Sequence, residues 1–150
     1  MTNYEKRDRY AELNETLRKA LEQEFYYEAI FIEHAILEDR VISLFKHANL
    51  DMPFQLGAKL EKLKTNQIFE DEYISKHIDM ELLDKINNWR DKRNKMVHNL
   101  IESSFASEDI KEIAQEGNEI IKKFASKTTL VTRYLDKQTV WKHYFKVMFF

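Results

Sequence analysis

Apolar residues recur along the chain at three- and four-residue spacings, a pattern that predicts helices. The first helix runs from about Asn3 to Lys19, with Leu13 and Leu17 on one side. A second runs from about Leu21 to Ala48, and no chain-breaker separates it from the first. Phe25, Ala29, Ile32 and Ile36 share one face of it, and Tyr26, Ile30, Leu37, Val41 and Leu44 widen that face. Such breadth marks the central helix of a bundle. Glu33 and Arg40 also fall inside the apolar arc. Asn49 and Pro53 end the helix, one as a cap and the other because proline cannot continue the ladder. A short helix is expected over Leu56 to Thr65, then irregular chain or one turn over 66–78. Asp79 reads as the N-cap of a helix from Met80 to about Ile101. Ser103, Ser104 and Ser107 mark a turn before a last long helix to about Tyr134. An aromatic, basic tail occupies residues 138–150.

Composition strengthens this all-α reading. The 150 residues include two glycines and one proline, too few breakers for a many-stranded sheet. The length suits one domain over residues 1–150, large enough to bury a core. With 43% hydrophobic and 33% charged residues, the chain is expected to be globular and not disordered. The absence of cysteine excludes disulfides, thiolate nucleophiles and Cys-ligated zinc. The charged N-terminus lacks a signal-peptide core, and no apolar run reaches the ~20 residues of a membrane span. A cytoplasmic protein without membrane contact is expected.

Net charge is −2, unlike a protein that coats nucleic acid with its whole surface. The charge is uneven, however: residues 85–98 carry five Lys/Arg against Asp91, and residues 122–146 carry seven against Asp136. Local basic surface on an acidic chain suits contact with a few phosphates.

The stretch RDKRNKMVHNL, residues 90–100, carries the candidate chemistry. On a wheel of about 100° per residue, Arg93 lies in the middle of an apolar arc formed by Leu82, Leu83, Ile86, Trp89, Met96, Val97, Leu100 and Ile101. His98 and Asn94 lie on a polar strip that borders this arc, about 140° and about 100° from Arg93. A buried guanidinium is costly without a partner and does not deprotonate. Arg93 therefore needs a carboxylate such as Glu33, or a wet cleft that takes an anion. Arginine to hold a phosphate and imidazole to move a proton suffice to cleave a phosphodiester without metal.

Arg93-Asn94-Lys95-Met96-Val97-His98 resembles the R-x4-H motif of HEPN domains, including the polar residue after the arginine. The likeness covers about residues 20–135, with the specific motif confined to these six. It implies an antiparallel up-down bundle of four to five helices that forms a homodimer, with the two motif helices facing across a cleft. It further implies a metal-independent endoribonuclease acting on single-stranded or structured RNA, in defence, a toxin system or RNA processing. Arg93 would bind the scissile phosphate, His98 would act as general base or acid, and Asn94 would orient the phosphate or the imidazole. Arg90 and Lys95 are candidate substrate contacts. An antitoxin protein is a further partner this implies. Family toxins paired with a minimal nucleotidyltransferase often carry tyrosine where this chain has Leu100, so control by adenylylation there is not expected. Other family members are non-catalytic nucleotide-binding or protein-interaction modules, and the motif is compatible with that alternative, with Arg93 in a structural ion pair.

The remaining signals are weaker. His34, His47, His77 and His143 are scattered, and Glu33 and Glu38 do not share a helix face, so neither a metal nor another cofactor is expected. Trp141, Tyr144, Phe145, Phe149 and Phe150 could stack bases beside Lys142 and Lys146, but such a tail is more often core or a dimer contact.

Overall fold

The computed structural model describes residues 1–102 and 106–150. They form six α-helices: α1 (Asn3–Glu22), α2 (Tyr26–Ala48), α3 (Leu56–Thr65), α4 (Glu72–His77), α5 (Met80–His98) and α6 (Ser107–Phe149). A 3-10 turn covers Gln67–Glu70, and no strand occurs among the described residues. The described residues are thus all-helical in class, with one more helix than the upper number expected.

Local chemistry accounts for the element ends. Thr2 and Glu5 form a reciprocal capping box on α1, the Thr2 hydroxyl accepting from the Glu5 N–H at 3.1 Å and the Glu5 carboxylate from the Thr2 N–H at 2.7 Å. Although no chain-breaker separates the first two helices, they part at Glu24, whose φ is +61°. The Phe25 N–H donates to the Ala20 carbonyl at 2.8 Å and the Glu24 N–H to that of Leu21 at 3.3 Å, the paired bonds of a Schellman end. Phe25 consequently lies outside α2 and is exposed, not part of its apolar face. α2 ends in the same way at Asn49, φ +54°, where the Leu50 N–H reaches the Phe45 carbonyl at 3.0 Å. Here asparagine tolerates the left-handed conformation, as its place before Pro53 suggests.

α3 has the expected bounds. Residues 66–78 are more regular than expected because Asp71 caps α4, accepting from the N–H groups of Tyr73 and Ile74 at 2.9 and 3.2 Å. Asp79 caps α5, accepting from Leu82 N–H at 2.8 Å. α5 stops at His98 instead of about Ile101, so Leu100 and Ile101 lie exposed beyond its end; Val97 in its last turn is exposed too, and all three leave the predicted apolar arc. Ser103 and Ser104 lie outside the described residues. α6 continues past Tyr134 to Phe149, so the tail is helix.

The chain gathers into two compact units, residues 1–38 with 85–122 and residues 39–84 with 123–150. In the first, Leu17 and Ala20 of α1, Ile30 and Ile36 of α2, Ile86 and Trp89 of α5, and Ile113 and Ala114 of α6 are buried. The Trp89 indole N–H donates to the Ile113 carbonyl at 2.9 Å, and Lys92 meets Glu116 at 2.8 Å, tying α5 to α6. In the second, Phe45, Leu60, Leu63, Ile74 and Phe124 are buried, each large side chain contributing about 1.5–3 kcal/mol on burial. Tyr134 stacks on Tyr73 with ring centroids 4.4 Å apart and donates its hydroxyl to Asp71 at 2.8 Å. His47 Nδ1 lies 2.6 Å from Asp136 Oδ1.

Candidate functional site

The sequence-predicted residues belong to the first unit, along the later turns of α5. Trp89 anchors this stretch: its indole is fully buried and packs at Gly117 of α6, where a Cβ would stand 2.7 Å from Cζ2. The carboxylate of Glu33 from α2 closes on the same point. Arg93 lies one turn beyond Trp89 on the same side of α5, so packing at Gly117 carries it toward the interior.

Arg93 is half-buried, and its Nε is buried without a hydrogen-bond partner. Its Nη1 donates to Asn94 Oδ1 at 3.1 Å. Of the two alternatives, the buried pair with Glu33 is not formed. Both Glu33 carboxyl oxygens are buried without a partner, and burial pushes its pKa up to about 9. Glu33 is therefore a neutral acid at pH 7. No cation among the described residues stands close enough to hold it ionised, so burial alone sets its protonation. Among the described residues Arg93 has no carboxylate ion pair.

Arg90, half-buried, is differently placed. Its Nε donates to Asn87 Oδ1 at 3.1 Å and its Nη2 to Asp91 Oδ1 at 3.0 Å, so an adjacent carboxylate already answers its charge. Lys95 is exposed, and its carbonyl accepts from the Asn99 side chain at 2.9 Å. His98 is the last residue of α5 and is exposed. The structure thus brings Arg93 and Asn94 together. It leaves His98 and Lys95 at the surface, with the exposed Val97, Leu100 and Ile101 beside His98.

His34 was overlooked as a site residue. It follows Glu33 on α2 and is partly buried, with Nδ1 4.0 Å from Glu38 Oε2. Burial pushes its pKa down, the charges of Arg93 and Arg90 add to that, and Glu38 opposes it. His34 therefore shares the electrostatic neighbourhood of the two α5 arginines as a largely neutral imidazole. Spacing within α5 carries no trace of it, because it arrives from another helix. Its one sequence signal was its place beside an acid on the broad face of α2.

Chemically, the arrangement offers a fixed, unneutralised guanidinium with a side-chain amide and an imidazole nearby. That set suits an anion with several acceptor oxygens, which the planar fork of arginine can grip. No group of three or more His, Cys, Asp or Glu side chains that could hold a metal occurs among the described residues. Nor, among them, is any helix long and apolar enough to cross a membrane.

Comparison of the chain with family models, curated proteins and solved structures finds no match.

Proposed function

We propose that this chain is a HEPN-like, metal-independent endoribonuclease in which Arg93 grips the scissile phosphate. The observation that carries this reading is the half-buried guanidinium of Arg93, held without a carboxylate partner. A permanent cation placed there is costly unless something else supplies the negative charge, and a bound phosphate does so.

In this reading the 2′-hydroxyl of the RNA attacks the adjacent phosphorus and the bond to the 5′-oxygen breaks. An imidazole takes the hydroxyl proton, and the leaving oxygen receives one. His98 is the proton-moving group that the motif resemblance assigns, and Asn94 holds the Arg93 fork in place. The HEPN resemblance also implies two facing copies of α5, which would give the cleft a pair of His98 imidazoles. The exposed Val97, Leu100 and Ile101 beside His98 are consistent with a surface that is covered in use. Single-stranded or structured RNA is the proposed substrate, a cytoplasmic toxin, defence or RNA-processing role the proposed setting, and an antitoxin a proposed partner.

The test is cleavage of single-stranded and structured RNA by the full chain in the presence of EDTA, beside His98→Ala. Chelator-insensitive cleavage is expected, with products ending in cyclic phosphate or 3′-phosphate. His98→Ala should lower the rate by about 10²–10⁴ without unfolding the chain. Equal cleavage by both proteins would refute the assignment. If neither cleaves any RNA but mononucleotides bind wild type and not Arg93→Gln, the site is instead that of a non-catalytic nucleotide-binding module.

A further inference from the structure

The last turns of α6 have a task that the α5 site does not explain. Every residue from 139 to 150 is exposed, although seven of these twelve are aromatic or valine. Val140, Trp141, Tyr144, Phe145, Met148 and Phe149 recur at three- and four-residue spacing and so share one side of the helix. Their rings touch in series. Trp141 meets Tyr144 with centroids 6.0 Å apart and Phe145 at 6.3 Å, and Phe145 stacks on Phe149 at 5.4 Å. Trp141 is 61% and Phe149 68% exposed. A solvated helix normally shows no such face.

Charge and area decide what covers it. No acid follows Asp136, whereas Lys142, His143 and Lys146 are all basic or titratable. Taking the apolar side as centred near Met148 and Trp141, Lys142 lies about 120° away and Lys146 about 160° away. An interfacial helix on an anionic bilayer is rich in Lys and Arg along its polar face. Here residues 139–150 supply two, Lys142 and Lys146. Single-stranded RNA needs free ring faces with cations alongside. The Phe145 and Phe149 rings stack on each other at an interplanar angle of 24°, which takes up one face of each.

A second helix of the same kind fits better. The seam Trp141, Tyr144, Met148 has the three-four spacing by which paired helices interlock, and the lysines of both helices would remain in water. The six side chains leave on the order of 700 Å² exposed, since an aromatic side chain carries ~150–250 Å². A specific interface uses about 800 Å² per partner.

We propose that α6 is a self-association element: a second copy of this chain docks its own 140–149 face against this one, burying Trp141 and Phe145 at the centre. This surface lies on the second unit, and the inference stands whether or not the α5 site cleaves RNA.

Sedimentation equilibrium of the full chain from about 1 to about 100 µM tests it. The expected mass is twice 18.1 kDa. Trp141→Glu combined with Phe145→Glu should weaken association by roughly 100-fold, as charging two central aromatics of an interface does. Its circular dichroism should match wild type, because both positions are exposed. The chain lacks cysteine, so single replacements report contact directly. Under oxidation Tyr144→Cys should form a covalent dimer, and Lys146→Cys, on the far side, should not. A wild type that is monomeric throughout the range would overturn the proposal. So would a dimer unmoved by the double substitution, or a monomer that binds phosphatidylserine-containing vesicles or single-stranded RNA through Trp141.

Discussion

Gly117 of α6 and Trp89 of α5 leave no room for a side chain between them: a Cβ at 117 would stand 2.7 Å from Cζ2 and 2.8 Å from Cε2 of the buried indole. The indole cannot swing aside, because its N–H is bonded to the Ile113 carbonyl at 2.9 Å. Alanine inside a helix ordinarily gains about 0.5–1 kcal/mol over glycine. Overpacking a filled core costs about 1–3 kcal/mol. The steric effect wins here, so Gly117→Ala should lose about 1–2 kcal/mol, read as a lower urea midpoint with an unchanged slope. A stabilised variant would mean that α5 and α6 can move apart.

Glu33 predicts an unusual pH dependence. Burial pushes its carboxyl from an ordinary 4.5 up to about 9, so at neutral pH the folded chain holds a proton that the unfolded chain has released. Stability linked to Glu33 is full below about pH 4.5 and declines as pH rises toward 9, by at most ~1.4 kcal/mol per unit. His34 is pushed the other way, by burial and by Arg93, so it acts on the acid side and leaves the alkaline decline to report Glu33. Glu33→Gln, similar in volume and unable to ionise, should flatten the decline between about pH 6 and about pH 9. Denaturation curves that fall in parallel for both proteins would disprove the assignment.

Arg93→Met separates an anion site from a structural ion pair. Breaking a buried pair typically costs 3–5 kcal/mol because the stranded charge remains. Glu33 is a neutral acid, and the Nε of Arg93 is buried without a partner. Methionine keeps the apolar stem and strands no charge; Asn94 Oδ1, half-buried, loses only its bond from Nη1. Stability should therefore stay within about 1 kcal/mol of wild type or rise, while phosphate binding, followed by calorimetry, is lost. A fall of several kcal/mol would show that a carboxylate does answer the guanidinium.

Asp71 has two tasks in the second unit: it caps α4, and it accepts the Tyr134 hydroxyl at 2.8 Å. Asp71→Ala should cost about 1–2 kcal/mol through the cap, plus the share of the tyrosine bond. Tyr134→Phe alone should cost about 0.5–1.5 kcal/mol. In a double-mutant cycle the two losses should be less than additive. Full additivity would mean that the hydroxyl bond contributes nothing.

Features that depend on a few neighbouring residues were legible in the sequence by itself. The bounds of α3, the Asp79 cap, the turn at Asn49 and the buried stripe of Leu82, Ile86 and Trp89 all follow from spacing and capping chemistry within one or two turns. So did the oddity of Arg93, since a charge on an apolar arc is visible on a wheel. What tertiary structure alone decided involves a second segment. Glu24 has no preference for a left-handed φ, and no local sign marks the break it makes between α1 and α2. Leu100 and Ile101 continue a helical period that α5 itself does not, because it ends at His98, and Val97 in its last turn is left exposed. The tail keeps its helix to Phe149, yet periodicity says only that it has an apolar side, not that this chain leaves that side uncovered. Arg93 and Glu33 looked like natural partners by charge. Packing against Trp89 and Gly117 buries the carboxyl so deeply that it keeps its proton, and no negative charge is left to pair with the guanidinium. Protonation in a folded protein is set by surroundings drawn from several helices, and those exist only once the chain has packed.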